Sequence, residues 1–571
     1  MKNIFYLLFA LMIIAACKNA GPEGRTNTGG DAMFDSLMNN YWEERMQLFP
    51  FEATSSGDNR YNDKMTITIA ESFRDSLKRF YSKYQQSLDA INKTTLNEGK
   101  QVSYDVFAYE MQMNLEGLKY PSHYMPINQF WAFTLELPQM SSGEGNQPFK
   151  TTADYDNFLK RMHTFPAWVD TAIYNMRKGI ANGWVLPKTL VVKMLPQLKA
   201  MVVTDAKQSI FYGPVKLMPA NFSDADKQKY AAQYVGMIDS IVIPSYSKLY
   251  TFIDKEYLPA SRSTCGIGGV NGGDAYYAYL VKYWTTTNLT PDSIYKIGQA
   301  EVARLEGEMN RVKDEVGYKG SLKEFFEFLG KDKQFYPFTT AKEVLDSFQS
   351  VHDVEEPYLA KMFKHRPKTP FVIRQTEAFR AASASAEYNP GSEDGSRSGI
   401  FYVPILNAKK FNAVGMETLF LHEAIPGHHY QISLQQESGE LPKFRKFLWY
   451  GAYGEGWALY SETLGKELGL YKNPYQYFGH LSDGIHRAIR LVVDVGMHAK
   501  GMTREEAVAY MMAHERISEE EATAEIERYM AIPGQALGYK IGALKIREIR
   551  NKYQQQLGDK FKLAAFHDAV L

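Results

Sequence analysis

The sequence predicts a mostly α-helical protein with a small edge sheet in its second half. Apolar residues recur at the three- and four-residue spacing of amphipathic helices in residues 34–49, 66–92 and 153–180. Helix starts are also marked, because Thr290 precedes a proline and Thr503 opens a capping-box pattern. The best strand candidate in the second half is the run Ile400–Leu406, which follows a polar loop.

The first 16 residues predict a lipoprotein signal peptide rather than part of the fold. Lys2 precedes an apolar run, residues 4–14, that is too short to span a membrane as a mature helix. The run leads into Cys17 through a sequence that resembles a bacterial lipobox, at which the chain is cut and the new terminal cysteine is lipidated. An uncleaved anchor is the alternative. We expect a protein of the cell envelope, held by lipid on Cys17 to the outer membrane and facing the periplasm or the exterior.

The remaining chain divides into a tether and two predicted lobes. Residues 17–32 are rich in small and polar residues and predict a flexible tether. Residues 33–265 predict an N-terminal helical lobe, and residues 266–571 a second helical lobe that carries the motif described next. Cys265 is the one cysteine after Cys17, so an internal disulfide is excluded in the mature chain. The net charge is zero, which gives no reason to expect nucleic acid as a partner, and the oligomeric state is left open.

Three histidines and one glutamate are concentrated in the eight residues His422–His429, in a chain with only 12 histidines. In the His-Glu-x-x-His motif of zinc peptidases, two imidazoles one helical turn apart bind the metal and the glutamate acts as general base. Here His422 and Glu423 open the motif, but Pro426 stands where the second histidine is expected. The concentration of histidines predicts a Zn²⁺ site with Glu423 as the base.

The proline prevents an undisturbed helix from His422 to His428, because it has no amide hydrogen and its ring collides with the carbonyl four residues earlier. A two-residue bulge would bring His428 to the position of the second ligand, and a three-residue bulge would deliver His429 instead. We favour His428 and keep His429 as the alternate ligand. The other interpretation is that the helix ends near Ile425 and both histidines open the next helix without binding a metal.

The third metal ligand is predicted to be Glu455, which lies between Gly454 and Gly456 in an aromatic, apolar helical stretch. A buried carboxylate is costly unless it is paired, and metal coordination removes that cost. A buried salt bridge is the alternative. Glu462 lies seven residues later on the same helical face, where it could orient a ligand histidine from behind or could be solvated.

Peptide hydrolysis also needs a hydrogen-bond donor for the oxyanion. The candidates, which all lie downstream of the metal motif, are His486, Arg487, Arg490, His498, Tyr529 and Tyr539. We select Tyr529, Tyr539 and His498 as further catalytic residues. The two tyrosines lie near a second Pro-Gly pair, at Pro533, which predicts a helix break.

Several segments together resemble a bacterial family catalogued as domain of unknown function 885. The matching segments are Gly273–Tyr277, Thr285–Pro291, Tyr388–Arg397, His422–His429, Glu455–Ala458, Arg490–Asp494 with His498, and Pro533–Ala536. The resemblance implies a large helical, zincin-like metallopeptidase body, in a family whose members are often lipoproteins. It implies His422, one histidine of the 428–429 pair and Glu455 as zinc ligands, with Glu423 as the base.

These observations predict a zinc-dependent metallopeptidase that cleaves peptide bonds, most readily those of oligopeptides. One alternative is a catalytically inert lipoprotein that binds peptides or glycans through its aromatic residues, which make up 14% of the chain. The other is a zinc hydrolase that acts on a non-peptide amide. The sequence does not distinguish endopeptidase from exopeptidase activity.

Overall fold

The computed structural model describes residues 29–377, 381, 385–392 and 397–571. The predicted signal peptide, Cys17 and residues 17–28 of the predicted tether lie outside this part of the chain. The α-helices in chain order are α1 Gly29–Leu48, α2 Pro50–Ser55, α3 Glu71–Asp89, α4 Glu98–Gly117, α5 Phe133–Met140, α6 Thr152–Met162, α7 Phe165–Asn182, α8 Lys188–Ala200, α9 Gly213–Lys216, α10 Asp224–Met237, α11 Ile243–Phe252, α12 Leu258–Ala260, α13 Gly273–Thr285, α14 Pro291–Glu315, α15 Leu322–Lys331, α16 Ala341–Met362, α17 Met416–Glu423, α18 His428–Glu437, α19 Lys443–Phe447, α20 Gly451–Glu462, α21 Pro474–Ala499, α22 Arg504–His514, α23 Glu519–Ala531, α24 Leu537–Leu557 and α25 Leu563–Val570. The strands are β1 Phe371–Gln375, β2 Glu387–Asn389 and β3 Gly399–Val403.

The predicted mostly α-helical fold is confirmed, and so are the predicted helix starts. The side chains of Thr290 and Thr503 accept backbone hydrogen bonds at the beginnings of α14 and α22. The apolar pattern over residues 153–180 belongs to two helices, since α6 ends at Met162 and α7 begins at Phe165. A proline in the first turn of α7, Pro166, favours a new helix start there because it has no amide hydrogen to donate.

The first helix begins earlier than predicted, so the last four residues of the predicted tether are helical. The helix α1 starts at Gly29, and the carboxylate of Asp31 accepts hydrogen bonds from the backbone N–H and the side-chain amide of Asn97 at 3.2 and 3.0 Å. Phe34 and Tyr41 of α1 are buried in a cluster with residues of α3 and α4. The hydrogen bonds of Asp31 therefore hold the chain two residues before the predicted lobe boundary at residue 33.

The small sheet has the strand order β1-β3-β2, in which β3 pairs with β1 in parallel and with β2 antiparallel. The predicted strand is confirmed as β3, although it ends at Val403, because Pro404 has no amide hydrogen for a further ladder bond. The rings of Phe371 in β1 and Phe401 in β3 lie 6.1 and 6.2 Å from the ring of Phe420. The sheet therefore packs against α17, the helix that carries His422.

The helices α17, α20, α21 and α24 pack around the histidine motif. Gly456 of α20 faces Gly542 of α24 so closely that a Cβ atom on Gly456 would lie 2.7 Å from the Gly542 backbone. This contact confirms that Gly456 allows close helix packing, whereas Gly454 lies against the indole of Trp449. The small residues therefore let α20 place Glu455 deep between its neighbours.

The division into two lobes at residue 265 stays a prediction. One buried cluster contains Trp184 from before this boundary and Ile267 and Leu491 from after it. No helix in the described part of the chain combines the length and the apolar character that crossing a membrane requires.

Candidate metal centre

The histidine motif lies on two helices rather than on one bulged helix. The helix α17 ends at Glu423, and α18 begins at His428 after the four residues Ala424–Gly427. The predicted bulge was therefore wrong, and the two histidines open a new helix, as in the alternative interpretation. A residue of another helix stabilises this break, because the indole N–H of Trp457 in α20 donates to the carbonyl of Pro426 at 2.8 Å. The same break turns His428 back toward His422.

Gly427 is required at this break by close backbone approach. A Cβ atom at this position would lie 1.9 Å from the carbonyl oxygen of His422, which is far inside van der Waals contact. Any other residue would therefore push α18 away from the end of α17.

Two histidines and one glutamate converge on a single point. One carboxylate oxygen of Glu455, Oε2, lies 3.6 Å from Nε2 of His422 and 3.5 Å from Nε2 of His428. The two imidazole rings are 5.0 Å apart and nearly perpendicular, at 88°. These nitrogen–oxygen distances exceed those of normal hydrogen bonds. They match ligands around one tetrahedral zinc ion, since bonds of about 2.0–2.2 Å separate ligand atoms by roughly 3.3–3.5 Å.

Glu462 supports the site from behind His422. Its Oε1 accepts a hydrogen bond from Nδ1 of His422 at 2.7 Å, and its side chain is fully buried. A carboxylate acceptor at Nδ1 fixes the proton there and leaves the Nε2 lone pair free to bind a metal. The orienting position that the sequence suggested for Glu462 is therefore the position it occupies, and the solvated alternative is excluded.

The electrostatics of the cluster favour a cation. Burial alone lowers the pKa of His422, but the carboxylates of Glu455 and Glu462 raise it overall to about 10. Burial alone raises the pKa of Glu462, but His422 and His480 lower it overall to about 2. The pKa of Glu455 is also below its ordinary value, because His422 and His428 outweigh its burial. A divalent cation at the shared point fits this donor set.

Glu423 lies next to this point but is held differently from Glu455. His422, Glu423 and His428 each offer a ligand atom within 4.8 Å of the others. The Oε2 atom of Glu423 accepts a hydrogen bond from the backbone N–H of Tyr388 in β2, at 2.9 Å. The carboxylate of Glu455 is nearly equidistant from both imidazoles, and the carboxylate of Glu423 lies beside them, so the site offers one carboxylate as a third ligand and a second one as a base. The positioning role of Tyr388 was missed from the sequence, although it lies in a family segment.

His429, the alternate ligand, faces the sheet instead. Its Nδ1 lies 2.9 Å from the hydroxyl of Tyr388 and 3.4 Å from that of Ser433, and its ring lies 5.0 Å from that of Phe371. Burial lowers the pKa of His429 to about 4, so it is neutral at physiological pH. His429 therefore packs the sheet against α18 and does not point to the candidate metal centre.

The three further residues selected as catalytic occupy very different positions. Tyr539 lies near Glu455, whose charge adds to burial in raising the pKa of the phenol, and its ring lies 4.7 Å from the guanidinium of Arg490. The hydroxyl of Tyr529 is already bonded, to Glu525 at 2.5 Å and to Nε of Arg490 at 2.8 Å. Of the two phenols, Tyr539 is therefore the better candidate for a role near Glu455.

The catalytic role selected for His498 stays a prediction, and both of its ring nitrogens are already hydrogen-bonded to the backbone. Its Nδ1 accepts from the backbone N–H of Ile267 at 2.9 Å, and its Nε2 donates to the carbonyl of Tyr529 at 3.1 Å. Burial lowers the pKa of this imidazole to about 3. His498 thus fastens the glycine-rich segment after Cys265 to the end of α21.

The comparisons with known proteins agree with this fold. A family model described as a bacterial protein of unknown function, DUF885, matches residues 50–571. A protein of Colwellia psychrerythraea, designated a lipoprotein, has a similar solved structure, with TM-score 0.87, 28% identity and 96% coverage of each chain. A protein of Shewanella oneidensis, also designated a lipoprotein and of unknown function, aligns with TM-score 0.71 and 19% identity over 94% of this chain and 96% of its own. No curated protein matches the chain.

Proposed function

We propose that this chain, which belongs to the bacterial protein family DUF885, is a zinc-dependent metallopeptidase that cleaves peptide bonds. The observation that carries the proposal is the position of Glu455 Oε2, 3.5 and 3.6 Å from the Nε2 atoms of His428 and His422. These three side chains would hold zinc in a nitrogen, nitrogen and oxygen set, which is typical of catalytic zinc sites. Zinc in such a site lowers the pKa of water and polarises a carbonyl group.

Glu423 would act as the general base. Its carboxylate would take a proton from the attacking water and later deliver it to the leaving nitrogen. The hydrogen bond from the backbone N–H of Tyr388 holds one carboxylate oxygen in place, which leaves the other oxygen for proton transfer. This arrangement orients the base through a neutral backbone donor.

Tyr539 would donate a hydrogen bond to the oxygen of the carbonyl under attack. Burial and the charge of Glu455 raise the pKa of Tyr539, so its hydroxyl keeps its proton at neutral pH. A donor that is already oriented stabilises the negative charge that develops on this oxygen. The role of Tyr539 is therefore to bind the oxyanion, not to transfer a proton.

The edge strand β2 offers a binding surface for an extended peptide. It has three residues, pairs on one side with β3, and is bonded through Tyr388 to Glu423 on the other. A substrate that lies extended along this edge would pass directly over the base. A three-residue strand aligns only a short segment, which favours oligopeptides over long chains.

We also infer that the protein is attached by lipid on Cys17 to the outer membrane, facing the periplasm or the exterior. The inference rests on the lipobox-like sequence before Cys17 and on the designation of both structural relatives as lipoproteins. Peptides in that space are the substrates that such an enzyme would meet.

A peptide digest tests the proposed function. Purified protein lacking residues 1–17, loaded with zinc, is incubated with a mixed peptide library, and the products are identified by mass spectrometry. We expect cleavage by the unchanged protein. The Glu423→Gln variant should keep stoichiometric zinc and lose about 10²–10⁴-fold in kcat, because general base catalysis contributes that much.

The control is Glu440→Gln, in the exposed segment after α18, which should retain full activity. Stoichiometric zinc without cleavage of any peptide would exclude the peptidase assignment. Equal activity of the Glu423→Gln and unchanged proteins would exclude Glu423 as the base.

A further inference from the structure

A pocket of about 190 Å³ lies beside the candidate metal centre. Its walls are largely aromatic and include Tyr41, Trp42, Tyr283, Phe447, Trp449 and Tyr450. The pocket also contains three charged side chains, those of Arg45, Glu52 and Glu110. It is large enough for a short side chain or a chain terminus, and too small for a folded partner.

The pocket shares a wall with the metal centre. The ring of Trp449 lies 5.9 Å from the ring of His428, and 46% of the Trp449 surface is exposed. Trp449 and Tyr450 directly precede α20, in which Glu455 follows about one helical turn later. A peptide bond at the metal centre would therefore have its neighbouring residue within reach of this pocket.

The charges in the pocket leave one carboxylate without a basic partner. Arg45 is bonded to Glu52 at 2.7 Å, and it also donates to the hydroxyl of Tyr41 at 3.1 Å. Glu110 accepts hydrogen bonds from the hydroxyl of Tyr450 at 3.0 Å and from the side-chain amide of Asn114 at 2.8 Å. Among the residues that the structure describes, no lysine, arginine or histidine pairs with Glu110.

Aromatic rings around a carboxylate that has no basic partner form the kind of site that recognises an ammonium group. The faces of tryptophan and tyrosine rings attract a cation through their quadrupoles, and the attraction grows when the cation is desolvated. The unpaired charge of Glu110 adds a direct Coulomb attraction and disfavours a carboxylate in the same place. A neutral apolar group would gain the aromatic contact but not the charge.

We propose that this pocket binds a primary ammonium group of the substrate, either the α-ammonium of a peptide or the side chain of a lysine. As a substrate site the pocket rests on the proposed peptidase function. As an ammonium site it rests on Glu110 and the aromatic walls alone. The two statements are tested separately.

The first experiment measures binding without catalysis. Zinc-loaded protein is titrated with n-butylammonium and with the neutral butan-1-ol, and tryptophan fluorescence is followed, because Trp42 and Trp449 wall the pocket. We expect a saturable change with the ammonium at concentrations at least about tenfold below any change with the alcohol. The absence of this preference in the unchanged protein overturns the proposal, whether or not any peptide is cleaved.

The second experiment identifies the source of the ammonium. Values of kcat/KM are compared for two peptide pairs, one with a free or acetylated amino terminus and one with lysine or norleucine. We expect one pair to show a preference of about tenfold or more for the cationic member, which distinguishes the terminus from the side chain. Glu110→Gln should reduce that preference from about tenfold to within about twofold. It should also weaken the binding of n-butylammonium by about fivefold or more.

The matched control is Glu116→Gln on the same helix, α4, because Glu116 is exposed and paired with Lys119. This variant should keep the preference of the unchanged protein. A preference that survives Glu110→Gln, or equal rates for both members of both pairs, overturns the substrate site. Failure of every peptide to be cleaved contradicts the peptidase function, while the butylammonium titration still decides the pocket.

Discussion

At the scale of single residues, the candidate metal centre depends on which nitrogen of which histidine turns inward. His428 and His429 are neighbours in sequence, yet one lies 3.5 Å from the Glu455 carboxylate and the other bonds Tyr388. Successive residues on a helix differ by about 100° in direction, so only one of the two can face α17. The choice between them follows from the helix break, not from residue type.

The two histidines should therefore respond differently to substitution. His428→Ala should lower the zinc content of the purified protein from about one equivalent to well under half, because it removes one of three protein ligands. His429→Ala should keep its zinc and lose some thermal stability through the lost sheet contact. Metal analysis of both variants checks this. If His429→Ala lost its zinc while His428→Ala kept it, the ligand would be His429 and not His428.

Tyr539 should be needed for catalysis but not for zinc binding. Tyr539→Phe should lower kcat by about 10²–10³-fold with zinc content unchanged, since it removes one oxyanion donor. Tyr553→Phe, at an exposed position of the same helix, is the control and should have normal kcat. Steady-state kinetics on one cleaved peptide provide the measurement, and an unchanged kcat for Tyr539→Phe would show that the donor is another group.

The pH dependence of stability should contain a contribution from His498. Its pKa is about 3 in the folded protein, because it is buried, and about 6.5 when unfolded. A lowered folded pKa of histidine means that stability is present above pH 6.5 and is lost as the pH falls toward 3. At pH 5 the loss is about 2 kcal/mol for this group.

The His498→Gln variant checks this contribution in thermal unfolding at pH 7 and pH 5, with metal-free protein in both cases. The decrease in melting temperature between the two pH values should be smaller in the variant than in the unchanged protein. His365→Gln, at an exposed site, is the control. Equal decreases in all three proteins would mean that His498 accepts a proton in the folded state.

At the scale of elements, the interruption between α17 and α18 brings His428 close to His422 although the two histidines are six residues apart, not four as in His-Glu-x-x-His. Pro426 ends the hydrogen-bond ladder, Trp457 of α20 holds its carbonyl, and Gly427 lets the chain pass close to His422. These features bring the imidazole of His428, the first residue of α18, to within 5.0 Å of the imidazole of His422. The geometry of the two histidines therefore depends directly on the helix break.

A substitution at Gly427 should separate the two helices. Gly427→Ala places a Cβ atom 1.9 Å from the His422 carbonyl, so we expect loss of zinc and a decrease in unfolding free energy of about 2 kcal/mol or more. Gly439→Ala is the control, because nothing lies within 4 Å of its Cβ position. Zinc content and urea denaturation test this, and normal zinc binding by Gly427→Ala would contradict the required close approach.

At the scale of the whole molecule, the site is assembled from parts of the chain that lie far apart in sequence. Glu423 is hydrogen-bonded to β2, Glu455 comes from α20, and the pocket beside His428 is lined in part by Glu110 of the N-terminal half. Packing of α20 against α24 through Gly456 fixes the depth of Glu455. The N-terminal helices thus contribute to the surroundings of the metal centre as well as to the core.

Attachment to the membrane should depend on Cys17 and not on the folded body. In cells that process lipoproteins, Cys17→Ser should move the protein from the membrane fraction to the soluble fraction, because no described helix can replace the lipid. Zinc content per protein should be unchanged, since the site lies more than 400 residues later. Fractionation and metal analysis check both, and a membrane-bound Cys17→Ser protein would refute lipid anchoring.

The sequence by itself determined the helical class, the caps at Thr290 and Thr503, the strand β3 and the concentration of histidines around Glu423 and Pro426. These features depend on the spacing of apolar residues and on backbone hydrogen bonding, which residues close together in the sequence determine. Only the tertiary structure turned His428 and not His429 toward Glu455 and placed the backbone N–H of Tyr388 on Glu423. It also brought Glu110 into one pocket with Trp449 and gave His498 its hydrogen bonds to Ile267 and Tyr529. Each of these depends on contacts between segments that are distant in the chain, and the direction of a side chain across such a contact is set by packing.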